Sequence, residues 1–168
     1  MSIEKTSPWI RRTAQIDNSL VEACLEILRD LPDYFDESDF EEMEHELRTQ
    51  DRILYFAEKA GEVAGFALVE RRGTGVAEIR WLAVGPEFRG QGVGSVLLEE
   101  VFETLRSAGV EVLEVKTLSA KADYPPYEAT RQFYERVGFL HLETVDPYPG
   151  WGSENPCAIY VKVLTLGA

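Results

Sequence analysis

The chain has 168 residues, 45% of them hydrophobic and 28% charged, a balance that fits one globular domain large enough to build its own core. A formal net charge of -13 argues against a general nucleic-acid binder and against anionic membrane surfaces, but leaves room for a small polyanion held by local backbone amides. No apolar run is long enough to span a membrane; two distant cysteines, Cys24 and Cys157, in no metal-ligand spacing and with no signal-like segment, point to a reduced, cytoplasmic protein without a metal centre.

Residues Ile10–Ala14 read as a short strand. Ser19 and Glu22 make a capping-box pattern, and Leu20, Cys24, Ile27, Leu28 and Leu31 follow at helical spacing until Pro32 stops them. Ser38 with Glu41 opens a second, acidic helix to about Leu47, with Phe40, Met43 and Leu47 as its apolar stripe. Three strand-like runs come next, Ile53–Glu58, Val63–Val69 and Val76–Val84. Short turns at Ala60-Gly61 and Gly73-Thr74-Gly75 divide them, which predicts an antiparallel meander. Val93, Val96, Leu97, Val101, Leu105 and Ala108 define a long helix that Gly109 ends. Val110–Thr117 is a further strand, Leu118–Pro126 a loop with a Pro-Pro pair, and Tyr127–Val137 a helix stopped by Gly138. Late strands near Phe139–Thr144 and Ala158–Leu164 flank a loop, Asp146–Pro156, rich in Pro, Gly and aromatics. The order βααβββαβαββ predicts one mixed α/β (α+β) domain over residues 1–168, a central, twisted, mostly antiparallel sheet of about six to seven strands flanked by about four helices.

The most informative stretch is Val84-Gly-Pro-Glu-Phe-Arg-Gly-Gln-Gly-Val-Gly-Ser95, where a strand ends, a glycine-rich turn follows and a helix begins at once. Gly90, Gly92 and Gly94 remove side chains that would block approach to the backbone, and the first amides of the helix have no intrahelical partner. Such an end attracts anions, and Arg89 adds a fixed positive charge; a pyrophosphate is the natural guest. No lysine follows Gly94, as a Walker loop requires, and Ser95 stands where a dinucleotide fingerprint needs glycine. The plainer reading is a glycine turn that only caps a helix.

Arg89-Gly90-Gln91-Gly92-Val93-Gly94 resembles the Q/R-x-x-G-x-G/A signature of the GNAT N-acetyltransferases. The strand before it, Ala77–Val84, and the later segment Phe133-Tyr134-Glu135-Arg136-Val137-Gly138-Phe139 are also similar to theirs, and so is the element order over nearly the whole chain. The resemblance implies acetyl-coenzyme A as co-substrate. Amides of Arg89, Gly90, Gln91, Gly92, Val93, Gly94 and Ser95 would hold its pyrophosphate. The segment Leu82, Ala83, Val84 would meet the pantetheine arm, Leu82 and Val84 through backbone groups, between strands that splay apart at Val76–Val84 and Val110–Thr117. Thr130 and Phe133 would flank the cofactor on the later helix. Tyr134 matches the acid that protonates the departing thiolate, and Glu78 a glutamate that acts as general base through water. Tyr127 and Thr130 stand where many members carry Asn and Ala, a departure that leaves the fold reading intact. The resemblance also allows a homodimer.

The chemistry asks for the same groups. A protonated amine must lose its proton before it attacks a thioester, the developing oxyanion needs N–H donors, and the thiolate leaves more easily beside an acid. No Ser-His or Cys-His pair is evident, which favours direct attack. Glu78 and Tyr134 also have plain readings, a solvated strand face and a packed ring; His45 and His141 read as structural. A chain that only binds coenzyme A, as a sensor without turnover, is the alternative. The resemblance implies that the acceptor, a small-molecule or peptide amine, lies beside Tyr34, Phe35, Tyr127 and Trp151. Nine acidic residues between Asp30 and Glu46 form either a funnel for a cationic amine or a solvated helix face.

Overall fold

A computed structural model of the protein describes residues 9–165. In chain order the elements are β1 (Ile10–Thr13), α1 (Asn18–Arg29), α2 (Glu37–Leu47), β2 (Arg52–Lys59), β3 (Glu62–Arg71), β4 (Val76–Val84), α3 (Val93–Ser107), β5 (Val112–Leu118), α4 (Pro126–Arg136), β6 (Leu140–Val145) and β7 (Cys157–Val163). The order is the expected one. The strands form one sheet, β1-β2-β3-β4-β5-β7-β6, antiparallel throughout except where β4 meets β5.

Both helix starts differ from the capping patterns read in the sequence. α1 is capped by Asp17, whose carboxylate accepts from the Leu20 amide at 2.9 Å, rather than by Ser19. α2 begins with a reciprocal box between Asp36 and Asp39 instead of Ser38 and Glu41. In both cases a carboxylate lies a short step upstream of the serine, and its negative charge also suits the positive helix end. α4 starts one residue earlier than expected because Pro126 occupies the first turn, where the missing N–H costs nothing.

Two apolar layers sandwich the sheet. On one face Leu97, Leu98, Val101 and Leu105 of α3 pack on Tyr55, Ala67, Ile79 and Leu113, with Tyr134 and Phe139 in the same cluster. On the other, Val21, Leu25 and Leu28 of α1 and Met43 and Leu47 of α2 cover Leu54, Phe56, Phe66 and Leu68. Coverage on both sides explains why Leu54–Ala57 is a continuous buried run and not an alternating one.

The feature that positions the site is a break in the middle of the sheet. Parallel pairing of β4 with β5 runs from Val76↔Val112 to Ile79↔Val115 and stops, although β4 continues to Val84 and β5 to Leu118. On its other edge β4 pairs Ile79 with Val69 and Trp81 with Leu68, so Arg80 is an extra residue, a β-bulge. A bulge bends and twists its strand. Here it turns β4 away from β5 at the residue where their ladder ends.

The caps supply a test. Asp17→Ala should cost about 1 kcal/mol in urea unfolding, while Ser19→Ala, within the first turn, should stay within about 0.5 kcal/mol of wild type.

Candidate active site

Beyond Ile79 and Val115 the diverging strands leave an open cleft of about 1250 Å³. The Gly85 amide donates to the Ala64 carbonyl at 2.8 Å, which fixes the alternation of the β3–β4 ladder. Trp81 and Ala83 therefore bond toward β3, and the N–H and C=O groups of Leu82 and Val84 point the other way, into the cleft. Ala83 lines the cleft, but its backbone is turned away, unlike that of its two neighbours.

At one mouth of the cleft stands the start of α3. Its N-cap is Gly92 at φ +76°, and no side chain caps the helix, so the first-turn amides are open to a ligand. Gly94 is small for a different reason. A Cβ there would lie 3.2 Å from Phe133, so this glycine lets α3 and α4 close on each other. Arg89 extends from the turn with its guanidinium 4.8 Å from the centre of the Tyr34 ring. Gln91 is the exception among the residues expected to meet the cofactor. Its side chain lies outside the cleft lining, donates to the Glu87 carbonyl at 3.0 Å and accepts from Lys59 at 3.2 Å.

Glu78 is 2% exposed and lies where the two strands part. Its carboxylate accepts from Lys116 at 2.7 Å, from Arg80 at 3.3 Å and from Arg72. Burial pushes its pKa up, but the Lys116 hydrogen bond and charge, followed by Arg80 and Arg72, outweigh burial and hold it below the ordinary 4.5. Glu46, from α2, grips Arg80 with both oxygens, at 2.5 and 3.0 Å. Glu70 pairs with Arg52 at 3.0 Å and Glu114 with Lys116 at 2.5 Å. One network thus sets four carboxylates, Glu46, Glu70, Glu78 and Glu114, against four cations, Arg52, Arg72, Arg80 and Lys116, and Glu46, Glu78, Arg80 and Lys116 of these line the cleft. A carboxylate held by three cations is ionised at neutral pH and a weak proton acceptor.

Two other cleft carboxylates have the opposite character. Burial raises the pKa of Asp39, and burial followed by the nearby Glu46 charge raises that of Glu42. Tyr134, 5% exposed, sits on α4 beside Phe133 and Phe139, and burial keeps its phenol well above the usual range, hence protonated. Among the described residues its hydroxyl has no hydrogen-bond partner. Thr117 Oγ1 and Trp81 Nε1, both from cleft-lining residues, are buried without partners. Orphaned polar atoms beside unpaired strand amides suit an extended, amide-bearing ligand. Cys24 and Cys157 are buried thiols pushed up to about 12 and about 11, burial being the main cause, so neither is a nucleophile.

The far wall is aromatic. Tyr34 stacks edge-on with Tyr127 at 5.2 Å, Phe35 lies 6.1 Å from Trp81, and Tyr148 lies 5.3 Å from Trp151. The fold thus brings together in one cleft every residue the sequence proposed except Gln91: Glu78, Leu82–Val84, Arg89, Gly90, Gly92–Ser95, Thr130, Phe133, Tyr134, Tyr34, Phe35, Tyr127 and Trp151. Sequence reading missed Arg80, Lys116 and Thr117, and it took Glu46 as part of an acidic funnel or a solvated face, whereas Glu46 is buried and paired with Arg80. Alternation in Val112–Leu118, with Glu114 and Lys116 between apolar neighbours, was the one visible hint of a charged strand face.

A sheet split at its centre, with bare helix amides at one mouth, marks an acyltransferase-type domain. The model of the acetyltransferase (GNAT) family matches residues 20–139, and the chain belongs to that family. It is 32% identical over 92 residues to an uncharacterized N-acetyltransferase of Chlorobaculum tepidum, a match covering 55% of this chain and 52% of that one. It is 30% identical over 95 residues to the mycothiol acetyltransferase of Propionibacterium freudenreichii subsp. shermanii, covering 55% and 28%. The matches thus span about half of the first relative and about a quarter of the second. In fold it is similar to a GNAT-family structure from Desulfovibrio desulfuricans, with TM-score 0.80 and 20% identity over 93% of this chain and 99% of that one. An aminoglycoside 6'-N-acetyltransferase complexed with coenzyme A gives TM-score 0.71 and 20% identity over 95% and 98%.

The clamp is testable. Glu78→Gln should cost about 2 kcal/mol at neutral pH, less than the loss of a fully buried pair because Arg72 and Arg80 are partly solvated. The folded pKa of Glu78 is depressed, so its stabilisation is complete above the ordinary carboxylate range and disappears as pH falls through the depressed value. Urea unfolding across acid pH should therefore find the two proteins converging only below pH 4.5.

Proposed function

We propose that this chain is an N-acetyltransferase that moves an acetyl group from acetyl-coenzyme A to a primary amine of a small molecule or peptide by direct attack. One observation carries the reading: the cleft between β4 and β5 runs from the uncapped amides of α3, past the free backbone groups of Leu82 and Val84, to the Tyr134 hydroxyl. That path suits a carrier with a diphosphate at one end, amides along its arm and a thioester at the other. When bound, the carrier supplies an activated acetyl group. The chain does the rest. Amides of α3 and Arg89 hold the diphosphate, the Leu82 and Val84 backbone fixes the arm, and the Leu82 N–H stabilises charge developing on the carbonyl oxygen. Tyr134, kept protonated by burial, gives its proton to the departing sulfur.

Glu78 fits a structural part better than the part of base. We assign the proton from the amine to Glu42 or Asp39, reached through water, because both line the cleft and burial raises their pKa, which makes them better proton acceptors than the clamped Glu78. The same carboxylates, with Asp33 and Asp36 and the aromatic wall, favour a cationic acceptor. A second reading, a coenzyme A-binding module without turnover, draws on one observation, the neutralising clamp around Glu78.

Release of free thiol from acetyl-coenzyme A across a panel of amines separates the two. Tight binding of the carrier with no amine turned over selects the module. For an enzyme saturated with acetyl-coenzyme A, a cationic acceptor should react more slowly as salt rises; a rate indifferent to salt removes the acidic wall from recognition. Tyr134→Phe should lower kcat about 100-fold while leaving coenzyme A affinity within about twofold; unchanged kcat removes Tyr134 from the mechanism.

A further inference from the structure

Tyr34 ties its own segment to two other parts of the protein, the first turn of α4 and the turn before α3. It lies in the segment between α1 and α2, on the acceptor side of the cleft. Its hydroxyl donates to the Pro126 carbonyl at 3.1 Å, and its own carbonyl accepts from the Tyr127 hydroxyl at 2.9 Å. Tyr124 adds a neighbouring tie, donating to the Asp33 carbonyl at 2.8 Å. These bonds fasten the α1–α2 segment to the first turn of α4 across the end of the cleft. The face of the Tyr34 ring carries the Arg89 guanidinium at 4.8 Å, and Arg89 Nη1 lies 3.4 Å from its hydroxyl.

Arg89 is otherwise exposed and forms no salt bridge among the described residues. A long cation left free would lose side-chain entropy on gripping a ligand. Stacked on a ring that is itself held by α4, the side chain of Arg89, a short step ahead of the Gly92 N-cap of α3, is already ordered before any ligand arrives.

The geometry points to Tyr34 as a positioning residue for diphosphate binding: its ring orients Arg89 at the α3 end of the cleft, and Tyr127 and Pro126 hold the ring in place. This rests on the proposed acetyl-coenzyme A reading and adds a part to it. It also gives Tyr127 a use where many family members carry asparagine. The tyrosine reaches the Tyr34 carbonyl and braces the segment that carries the ring.

Titration calorimetry with coenzyme A as the probe tests this, using wild type, Tyr34→Leu, Tyr34→Phe, Arg89→Ala and the double variant Tyr34→Leu/Arg89→Ala. Tyr34→Leu should weaken binding about 3- to 5-fold, the scale of an exposed cation–π contact. Tyr34→Phe keeps the ring and the Tyr127 brace on its carbonyl but loses the Pro126 bond, and should fall between wild type and Tyr34→Leu. In the Arg89→Ala background Tyr34→Leu should cost nothing further. A general structural role for Tyr34 would instead produce the same loss with or without Arg89. Tyr34→Met retains bulk without a ring and carries the same reading if the leucine variant fails to fold. Unchanged or tighter binding by Tyr34→Leu, or additive losses in the double variant, overturns the inference and leaves the proposed function intact. Wild-type protein that ignores millimolar coenzyme A removes both.

Discussion

Everything at the site follows from hydrogen bonds that β4 and β5 do not make. A parallel ladder in the middle of a sheet normally continues as far as both strands do, because buried amides left alone are costly. Here it stops at Ile79↔Val115 with both strands still running. The Arg80 bulge supplies the bend, and the α3 and α4 packing around Phe133 and Gly94 keeps the gap from closing. The result is a slot whose walls are unspent backbone donors and acceptors, a surface that binds an extended chain by the same rule that pairs strands.

The split also explains the charges beneath it. Where the strands part, side chains of the α1–α2 face lose the cover of a neighbouring strand, and that face holds Glu78, Arg80, Glu114 and Lys116 rather than apolar residues. Each charge is matched. Arg80 is anchored by Glu46 of α2, which ties the bulge to a helix and fixes its direction. The network thus both seals the end of the ladder and holds the bent strand.

Much of this was legible in the sequence. Periodicity and punctuation recovered every strand and helix in order, because the two cores demand clear apolar stripes. The run Arg89–Gly94 and the segment Phe133–Phe139 were found as motifs, and they meet in space through Gly94 and Phe133. The Arg80 bulge was not legible. An extra residue in a strand leaves no mark on composition, and without it neither the end of the ladder nor the partners of Glu78 can be foreseen. The helix caps were misread by a short step because carboxylate and hydroxyl candidates stood close together, and only backbone geometry chooses between them. The outward turn of Gln91 depends on Lys59, far away in sequence.

The closed charge network has an effect well beyond its own volume. Since its eight members cancel, the formal charge of -13 is borne by the remaining residues, and the molecule as a whole repels anions. A polyanion approaching α3 therefore climbs an unfavourable potential until it comes within a few ångströms of the bare amides and Arg89, where the sign reverses. Background electrolyte flattens the outer hill more than the inner well, since screening acts mainly over distance. Encounter with such a ligand is slowest in dilute buffer, and moderate ionic strength speeds its arrival.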